Sequence, residues 1–278
     1  MIPLEAHRAA RLAALQAEDG WLNLIARLPI LPGPQTVGAG AGAALPLPHG
    51  PDHLGTLIEA GGSYSLQTPT GSHPFQTTPD TPPQLRVPPY LLEIHTADDQ
   101  PALRVRDLTL PRACTLHHFP TDPAWIIRAD WHALATPQAQ AIGQKGGRAT
   151  TVVLTHTAQF THDGQAVTLL ATHWKSGKPM FVFRDATSGR ETYAASRFLI
   201  GEDATDTQIT LDFNRAFTPP CGFTDFAICP LPPRENILPF AIRAGELRPG
   251  GPISDPGGMG NNPDPAFPAA SQSKMHAG

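Results

Sequence analysis

The sequence predicts a mainly β protein made of two packed β units, the first sandwich-like and the second barrel-like. One N-terminal helix and a disordered C-terminal tail complete the predicted fold class. The 278 residues include 32 prolines and 25 glycines, and only 16% are charged, which is typical of many short strands and turns rather than of a helical bundle. Short apolar runs separated by glycine and proline also favour strands, and an Asp163–Gly164 pair lies between two alternating runs, which indicates a hairpin.

The predicted organisation follows changes of composition along the chain. Residues 1–20 are rich in alanine, leucine, arginine and glutamate, which favour a helix, and Gly20 suits the left-handed position just past a helix end. Residues 21–110 form the predicted β-rich N-terminal unit, and residues 111–248 form the predicted barrel-like unit. Residues 249–278 are rich in glycine, proline and serine, so we expect disorder there.

The hairpin around Asp163–Gly164 is the most informative local pattern. A two-residue loop, continued outward in regular pairing, puts His156 opposite Ala171 and His173 opposite Leu154 on one apolar face. Buried imidazoles need hydrogen-bond partners. They either bond a backbone carbonyl or a carboxylate at the rim, or line a pocket mouth and bind or act on a ligand. A one-residue slip in the loop would put both in solvent.

The stretch from Asp212 to Glu246, called the strap below, is predicted to be largely non-helical and fixed across the β body. It contains two proline pairs, two cysteines and many apolar side chains that need cover. The seven residues between Cys221 and Cys229 match no common zinc spacing, so buried thiols are favoured over a disulfide, a reactive cysteine or a metal site.

The polar residues of the strap and of the segment before it allow two interpretations. They form a buried ion-pair and hydrogen-bond network that holds the strap, or they line an anion pocket in which Arg184, Arg197 or Arg215 binds a carboxylate through its planar guanidinium. No catalytic residue is assigned. The candidate ligand-binding residues are His156, His173, Arg184, Tyr193, Arg197, Asn214, Arg215, Glu235 and Asn236.

These segments also carry a family resemblance. The strap contains DFNRA, PPC, CPLPP, EN and AGE, and FRDATSGRETYAASRFL precedes it. In order and spacing they resemble the signature of the bacterial family called domain of unknown function sixteen eighty-four. The resemblance covers residues 5–248, and DGWLNL near the start fits less tightly. It implies no particular activity, because none is established for that family.

We expect the protein to bind a small organic ligand, anionic rather than cationic, at the mouth of the barrel-like unit. The first alternative is an enzyme of hydrolase type, with acid–base work by Asp212 and Glu235 or nucleophilic chemistry by Cys221. The second is a structural or partner-binding protein. The sequence contains no nucleophile elbow, His-Glu-x-x-His helix, Walker loop or Rossmann fingerprint.

Composition and charge exclude several other classes. A net charge of −4 gives no electrostatic case for nucleic acid, and no apolar run approaches the roughly 18 residues of a membrane span. His7, Arg8 and Arg11 interrupt any signal-peptide core, so we expect a cytoplasmic protein with reduced cysteines. We predict no cofactor and no metal, because the Cys114-x-x-His117-His118 cluster lacks a fourth ligand at usable spacing. Oligomeric state is left open.

Overall fold

The computed structural model describes residues 2–79 and 81–251, and its main content is β-strand. One helix, α1 (Leu4–Gln16), precedes the strands. Pro3 supplies no side-chain cap, the last turn has no basic residue, and Leu15 is the buried residue of the helix. A helix of 13 residues is marginal in isolation, so α1 depends on contacts with the body. The predicted fold class, mainly β with one N-terminal helix, is confirmed.

The first part of the body is a pair of sheets. Its strands are β1 (Leu24–Pro29), β2 (Gln35–Gly38), β3 (Leu45–Pro46), β4 (Gly55–Ala60), β5 (Ser63–Thr68), β6 (Gly71–Pro74), β7 (Gln76–Thr78), β8 (Thr81–Val87), β9 (Tyr90–Ala97) and β10 (Gln100–Asp107). One sheet has the order β1-β10-β9-β8-β7 and the other the order β3-β2-β4-β5-β6. Leu57 and Leu66 from one sheet and Leu92 and Leu103 from the other share one apolar cluster, as in a sandwich.

The other face of the first sheet carries buried charges. Alternation along β10 directs Leu103 into the apolar cluster and turns Arg104 and Arg106 to the opposite face. Glu93 on β9 accepts a hydrogen bond from Arg104 at 2.9 Å and from Arg106 at 3.0 Å. Arg106 also donates to the carbonyl of Gly20 at 2.9 Å. This network joins the first sheet to the segment that follows α1.

The second part of the body has two further sheets. Its strands are β11 (Ile126–Gly143), β12 (Ala149–His162), β13 (Gln165–Leu170), β14 (His173–Lys175), β15 (Lys178–Phe183), β16 (Arg197–Ile200) and β17 (Gln208–Asp212). The sheet orders are β13-β12-β11-β17 and β14-β15-β16. Within residues 2–79 and 81–251 neither sheet closes on itself, so the expected barrel is not found. The boundary predicted near residue 110 stays a prediction.

The hairpin register is as predicted near its turn and differs farther out. His162 pairs with Gln165 and Thr157 pairs with Leu170. However, β13 ends at Leu170, and His173 pairs with Met180 in the other sheet. The prediction that His173 lies opposite Leu154 is therefore wrong. The reason is that the chain changes sheets after Ala171, whose amide still donates to the His156 carbonyl at 3.2 Å, and β14 instead forms a tight hairpin with β15 through Ser176–Gly177.

The strap is extended and contains three short 3-10 turns, at Phe213–Arg215, Pro220–Gly222 and Arg234–Asn236. Asp212 is the last residue of β17, and no strand occurs among residues 213–246, all of which the structure describes. Disorder is expected over residues 249–278. Of these, residues 252–278 lie outside the described residues. Among the described residues, no helix has the length and apolar character needed to cross a bilayer.

Candidate functional site

The buried pair Arg197–Asp185 holds the end of the strap. Both side chains are fully buried, and Arg197 Nη2 lies 3.1 Å from Asp185 Oδ2. The same nitrogen donates to the Ile242 carbonyl at 2.9 Å, Nη1 donates to the Ala244 carbonyl, and the Ile242 amide donates to Asp185 at 2.6 Å. Burial lowers the pKa of Arg197, and the Asp185 charge opposes that shift. All these contacts are internal, so this predicted site residue serves the fold.

A second polar group lies where β17 enters the strap. Asp212 accepts hydrogen bonds from the Asn214 amide at 3.1 Å and from Arg215 Nε at 2.9 Å. The Asn214 side chain bonds both backbone groups of Asp122, at 2.9 and 3.0 Å. Arg215 Nη2 donates to the Ile2 carbonyl. Asn214 and Arg215 therefore join β17 to the segment before β11 and to the N-terminus.

Asn236 joins the two sheets of the second part. Its side-chain oxygen accepts from the Leu170 amide at 2.8 Å, and its nitrogen donates to the carbonyls of Leu170 at 3.0 Å and Val182 at 2.8 Å. Asn236 is fully buried. The neighbouring Glu235 is exposed, and its partner is Gln140 at 3.4 Å. The carboxylates of Asp212 and Glu235, proposed as an acid–base pair, therefore have different surroundings.

The side chains of Arg184 and Tyr193 differ in their hydrogen bonding. The backbone of Arg184 pairs with the strap, whereas its half-buried side chain has no hydrogen bond to any other described residue. The Tyr193 hydroxyl donates to the Cys221 carbonyl at 2.7 Å, and burial raises its pKa. The Cys221 amide lies 3.3 Å from Cys229 Sγ. A hydrogen bond from the Cys229 thiol lowers the pKa of Cys221.

The two histidines of the hairpin have separate environments. His156 stacks on the buried Trp131, with 4.7 Å between ring centroids and 10° between planes, and Trp174 meets it edge-on at 5.6 Å. His173 Nδ1 lies 2.9 Å from the Thr172 hydroxyl, and burial lowers its pKa. Neither histidine lines either of the clefts described next. The nine predicted residues therefore do not share one of these clefts.

A cleft of about 280 Å³ lies where the first part, the β11–β12 turn and the strap meet. The β11–β12 turn contains Gly146 and Gly147, both with positive φ (97° and 82°), a conformation that favours glycine. The cation Lys145 precedes this glycine pair, and Arg148 follows it. The cleft is lined by Arg27, Lys145, Gly146, Arg148, Asp225, Phe226, Ala227 and Ile228.

The cleft has an excess of positive charge. Its acidic residue, Asp225, is bonded by Lys145 Nζ at 3.1 Å. Arg27 and Arg148 have no ion pair with any described carboxylate within 4.0 Å, although Asp98, which bonds Gln144 and Thr150, is close enough for Arg148 to lower its pKa. Burial and then the charge of Arg148 lower the pKa of Arg27. Arg27 Nε is buried with no partner in the described part of the chain. Two cations placed in this way favour the binding of an anion in the cleft.

None of the residues that line this cleft is among the ligand-binding residues predicted from the sequence. A usable signal is QKGGR, in which two cations flank a Gly-Gly pair at a strand end. A second cleft, of about 350 Å³, is lined by Glu18, Asp19, Gln84, Arg86 and Leu91. There Arg86 is paired with Glu18 at 2.5 Å, so its charge is already compensated. Among the described residues, no group of three or more His, Cys, Asp or Glu side chains is arranged to hold a metal ion.

Comparison with known proteins supports the family resemblance. Residues 114–247 match the family described as "Protein of unknown function (DUF1684)". The chain belongs to the DUF1684 family. The solution NMR structure of an uncharacterized protein from Haloarcula marismortui is 33% identical, and the match covers 48% of this chain and 75% of that chain with a TM-score of 0.40. No curated protein matches the chain. Of the cleft cations, Lys145 and Arg148 lie within the DUF1684 match and Arg27 lies before it.

Proposed function

We propose that this DUF1684 protein binds a small organic anion in the cleft between Arg27, Lys145 and Arg148. The observation that carries the proposal is the pair Arg27 and Arg148, neither of which forms an ion pair with a carboxylate of the described residues. Two guanidinium groups share one cleft, and burial together with the neighbouring charge disfavours the charged form of Arg27. A bound anion would offset both penalties, since an opposite charge stabilises the charged form.

The chemistry of the lining indicates what kind of anion fits. Guanidinium groups bind carboxylates and phosphates through two parallel hydrogen bonds. Three cations and one carboxylate leave an excess of two positive charges, which suits a dianion. Phe226, Ala227 and Ile228 supply an apolar wall, and Phe226 is 39% exposed. A cleft of about 280 Å³ is near the lower end of ligand pockets, roughly 300 Å³, so the ligand is small.

The proposed ligand is of the class expected from the sequence, a small organic anion, but the proposed site is this cleft and not the mouth of a barrel. The polar residues of the strap bond one another and the backbone, as in the network interpretation of the sequence. Arg27 and Arg148 instead come from different parts of the chain and converge on solvent-accessible space. An accessible, convergent set of polar groups beside an apolar wall is what a small-molecule site needs.

The test is titration of the wild-type protein at low ionic strength with citrate, inorganic phosphate, phosphomonoesters and aromatic carboxylates, followed by NMR. We expect Arg27→Ala and Arg148→Ala each to weaken binding by about tenfold or more, the effect of losing a charged hydrogen bond of about 1.5–3 kcal/mol. Asp225→Asn is expected to tighten binding, because it removes a negative charge and releases Lys145.

The matched control is Arg190→Ala, an exposed arginine that does not line the cleft, and it should leave the affinity unchanged. Equal binding by the wild type and by the Arg27→Ala/Arg148→Ala double variant would contradict the proposal. So would the failure of every anion in the panel to bind the wild type at millimolar concentration.

A further inference from the structure

The Arg11 side chain of α1 is bound in a pocket of the strap. Its Nε donates to Glu246 Oε1 at 3.1 Å, and its Nη2 donates to the Thr218 carbonyl at 2.7 Å. The guanidinium carbon lies 4.9 Å from the ring centroid of Phe217 and 5.7 Å from that of Phe223. A carboxylate, a carbonyl and two aromatic rings therefore surround one cation.

The walls of this pocket are built without α1. Glu246 Oε2 accepts the Thr218 amide at 2.8 Å, and the Glu246 amide donates to the Ala216 carbonyl at 2.8 Å. Phe217 exchanges two backbone hydrogen bonds with Phe198, each of 2.9 Å. The rings of Phe198 and Phe217 also meet edge to face at 5.8 Å. The strap and β16 thus fix the carboxylate, the carbonyl and one ring.

The pocket also requires a cation. The Glu246 side chain is 3% exposed, and a buried carboxylate without a counter-ion is costly. The buried Arg197 contributes a favourable charge to this region, but it is paired with Asp185. Aromatic faces attract cations, and more strongly when water is excluded. Thr218 contributes a carbonyl acceptor, which suits a guanidinium with several N–H donors.

The helix that supplies Arg11 is held by one fully buried side chain and by hydrogen bonds. Among its residues Leu15 is buried. Its other hydrogen bonds to the described body are Arg8 Nη2 to the Thr121 hydroxyl at 3.4 Å, Gln16 Nε2 to the Cys114 carbonyl at 3.5 Å, and Arg112 Nε to the Gln16 carbonyl at 3.0 Å. The first two are long hydrogen bonds that contribute little, and none of the three involves the strap. Because α1 is marginal alone, the insertion of Arg11 is its principal specific contact with the strap.

We propose that Glu246, the Thr218 carbonyl, Phe217 and Phe223 form a guanidinium-binding site that Arg11 occupies in cis. When α1 detaches, the site takes the guanidinium of another molecule, either a small guanidinium compound or an arginine side chain of a partner. Arg11 is tethered close to the pocket, so its effective concentration, of millimolar order, makes it a competitive internal ligand. This cation site is separate from the proposed anion cleft and does not depend on it.

The test uses the full chain with Arg11→Ala, which empties the pocket while leaving its walls intact. N-acetylarginine amide and methylguanidinium are titrated into wild type, Arg11→Ala and Arg11→Ala/Glu246→Gln, with methylammonium as the comparison cation. We expect Arg11→Ala to bind the guanidinium probes about tenfold or more tightly than the wild type, because the internal competitor is gone. The double variant should lose this gain. Binding of methylguanidinium identifies small-molecule access, and binding of N-acetylarginine amide alone identifies a peptide arginine.

A second measurement covers the case in which Arg11→Ala unfolds. In the wild type, saturating N-acetylarginine amide should increase hydrogen exchange in residues 4–16 and leave the strands protected. The proposal is overturned if the folded Arg11→Ala protein binds no better than wild type, or if the gain persists with Glu246→Gln. It is also overturned if Arg11→Ala unfolds and the probe leaves exchange in residues 4–16 of the wild type unchanged.

Discussion

Replacing Asn236 with alanine should strongly reduce the free energy of unfolding. The change removes three hydrogen bonds, of 2.8, 3.0 and 2.8 Å, to the backbone of Leu170 and Val182. A typical hydrogen bond contributes about 1 kcal/mol net, and a buried group left unpaired costs about 1–3 kcal/mol. The amide and carbonyl of Leu170 and the carbonyl of Val182 would all lose this partner. Because Asn236 is fully buried and three backbone groups lose their partner, we expect a loss of about 3–5 kcal/mol.

Urea unfolding followed by tryptophan fluorescence measures this loss, provided that the slope with denaturant is unchanged. The matched control is Glu235→Ala in the same 3-10 turn. Glu235 is exposed, so its replacement should change stability by no more than about 0.5 kcal/mol. Asn236→Asp keeps the acceptor for the Leu170 amide but loses both donors, so it should not restore stability. A loss below about 1 kcal/mol for Asn236→Ala would refute the view that Asn236 holds the two sheets together.

Three further predictions concern pH, the buried pair and the thiols. Burial, followed by nearby arginine charges, lowers the pKa of the half-buried His95 from 6.5 to about 4. The unfolded state therefore binds the proton first, and the free energy of unfolding should fall as the pH drops from 6.5 toward 4. Urea midpoints across that range should show the fall, and His95→Gln should flatten it. In a double-mutant cycle, Arg197→Met and Asp185→Leu should each destabilise by about 3–5 kcal/mol, and the double variant should lose clearly less than the sum; additive losses would contradict this. Mass measurement after thiol blocking at lysis should find the cysteines reduced, and a Cys221–Cys229 bridge would contradict that prediction.

The hairpin shows where sequence reasoning holds and where it stops. The Asp163–Gly164 turn and the alternation beside it are local, so they predicted the pairing from His162 to Thr157. Beyond this stretch the chain changes sheets, and the amide and carbonyl of Leu170 are bonded by Asn236, which lies 66 positions later in the chain. No periodicity near Leu170 signals that partner. The point at which a strand changes sheets is therefore not set by the alternation of its own residues alone.

The candidate site likewise has features that the sequence predicts and features that it does not. Polar residues flanked by apolar ones predict either a buried hydrogen-bond network or a ligand pocket, and the sequence pattern does not distinguish the two. The choice depends on which groups meet: Arg197 meets Asp185 and carbonyls of the strap, all in the interior. Arg27 and Arg148 gave no signal individually, because their significance comes from a contact between distant parts of the chain.

The difference between interior residues and cleft residues determines how a loss of function in this DUF1684 protein should be interpreted. Arg197 and Asn236 lie in the interior and bond the backbone, so we expect substitutions there to act by destabilising the fold. Arg148 is exposed and Arg27 is half-buried, so their replacement can remove charge from the cleft while the body stays folded. Since Arg27 lies before residues 114–247, the matched part of the chain alone would present this cleft with Lys145 and Arg148 but without the third cation. The affinity for a dianion should therefore depend on both parts of the chain.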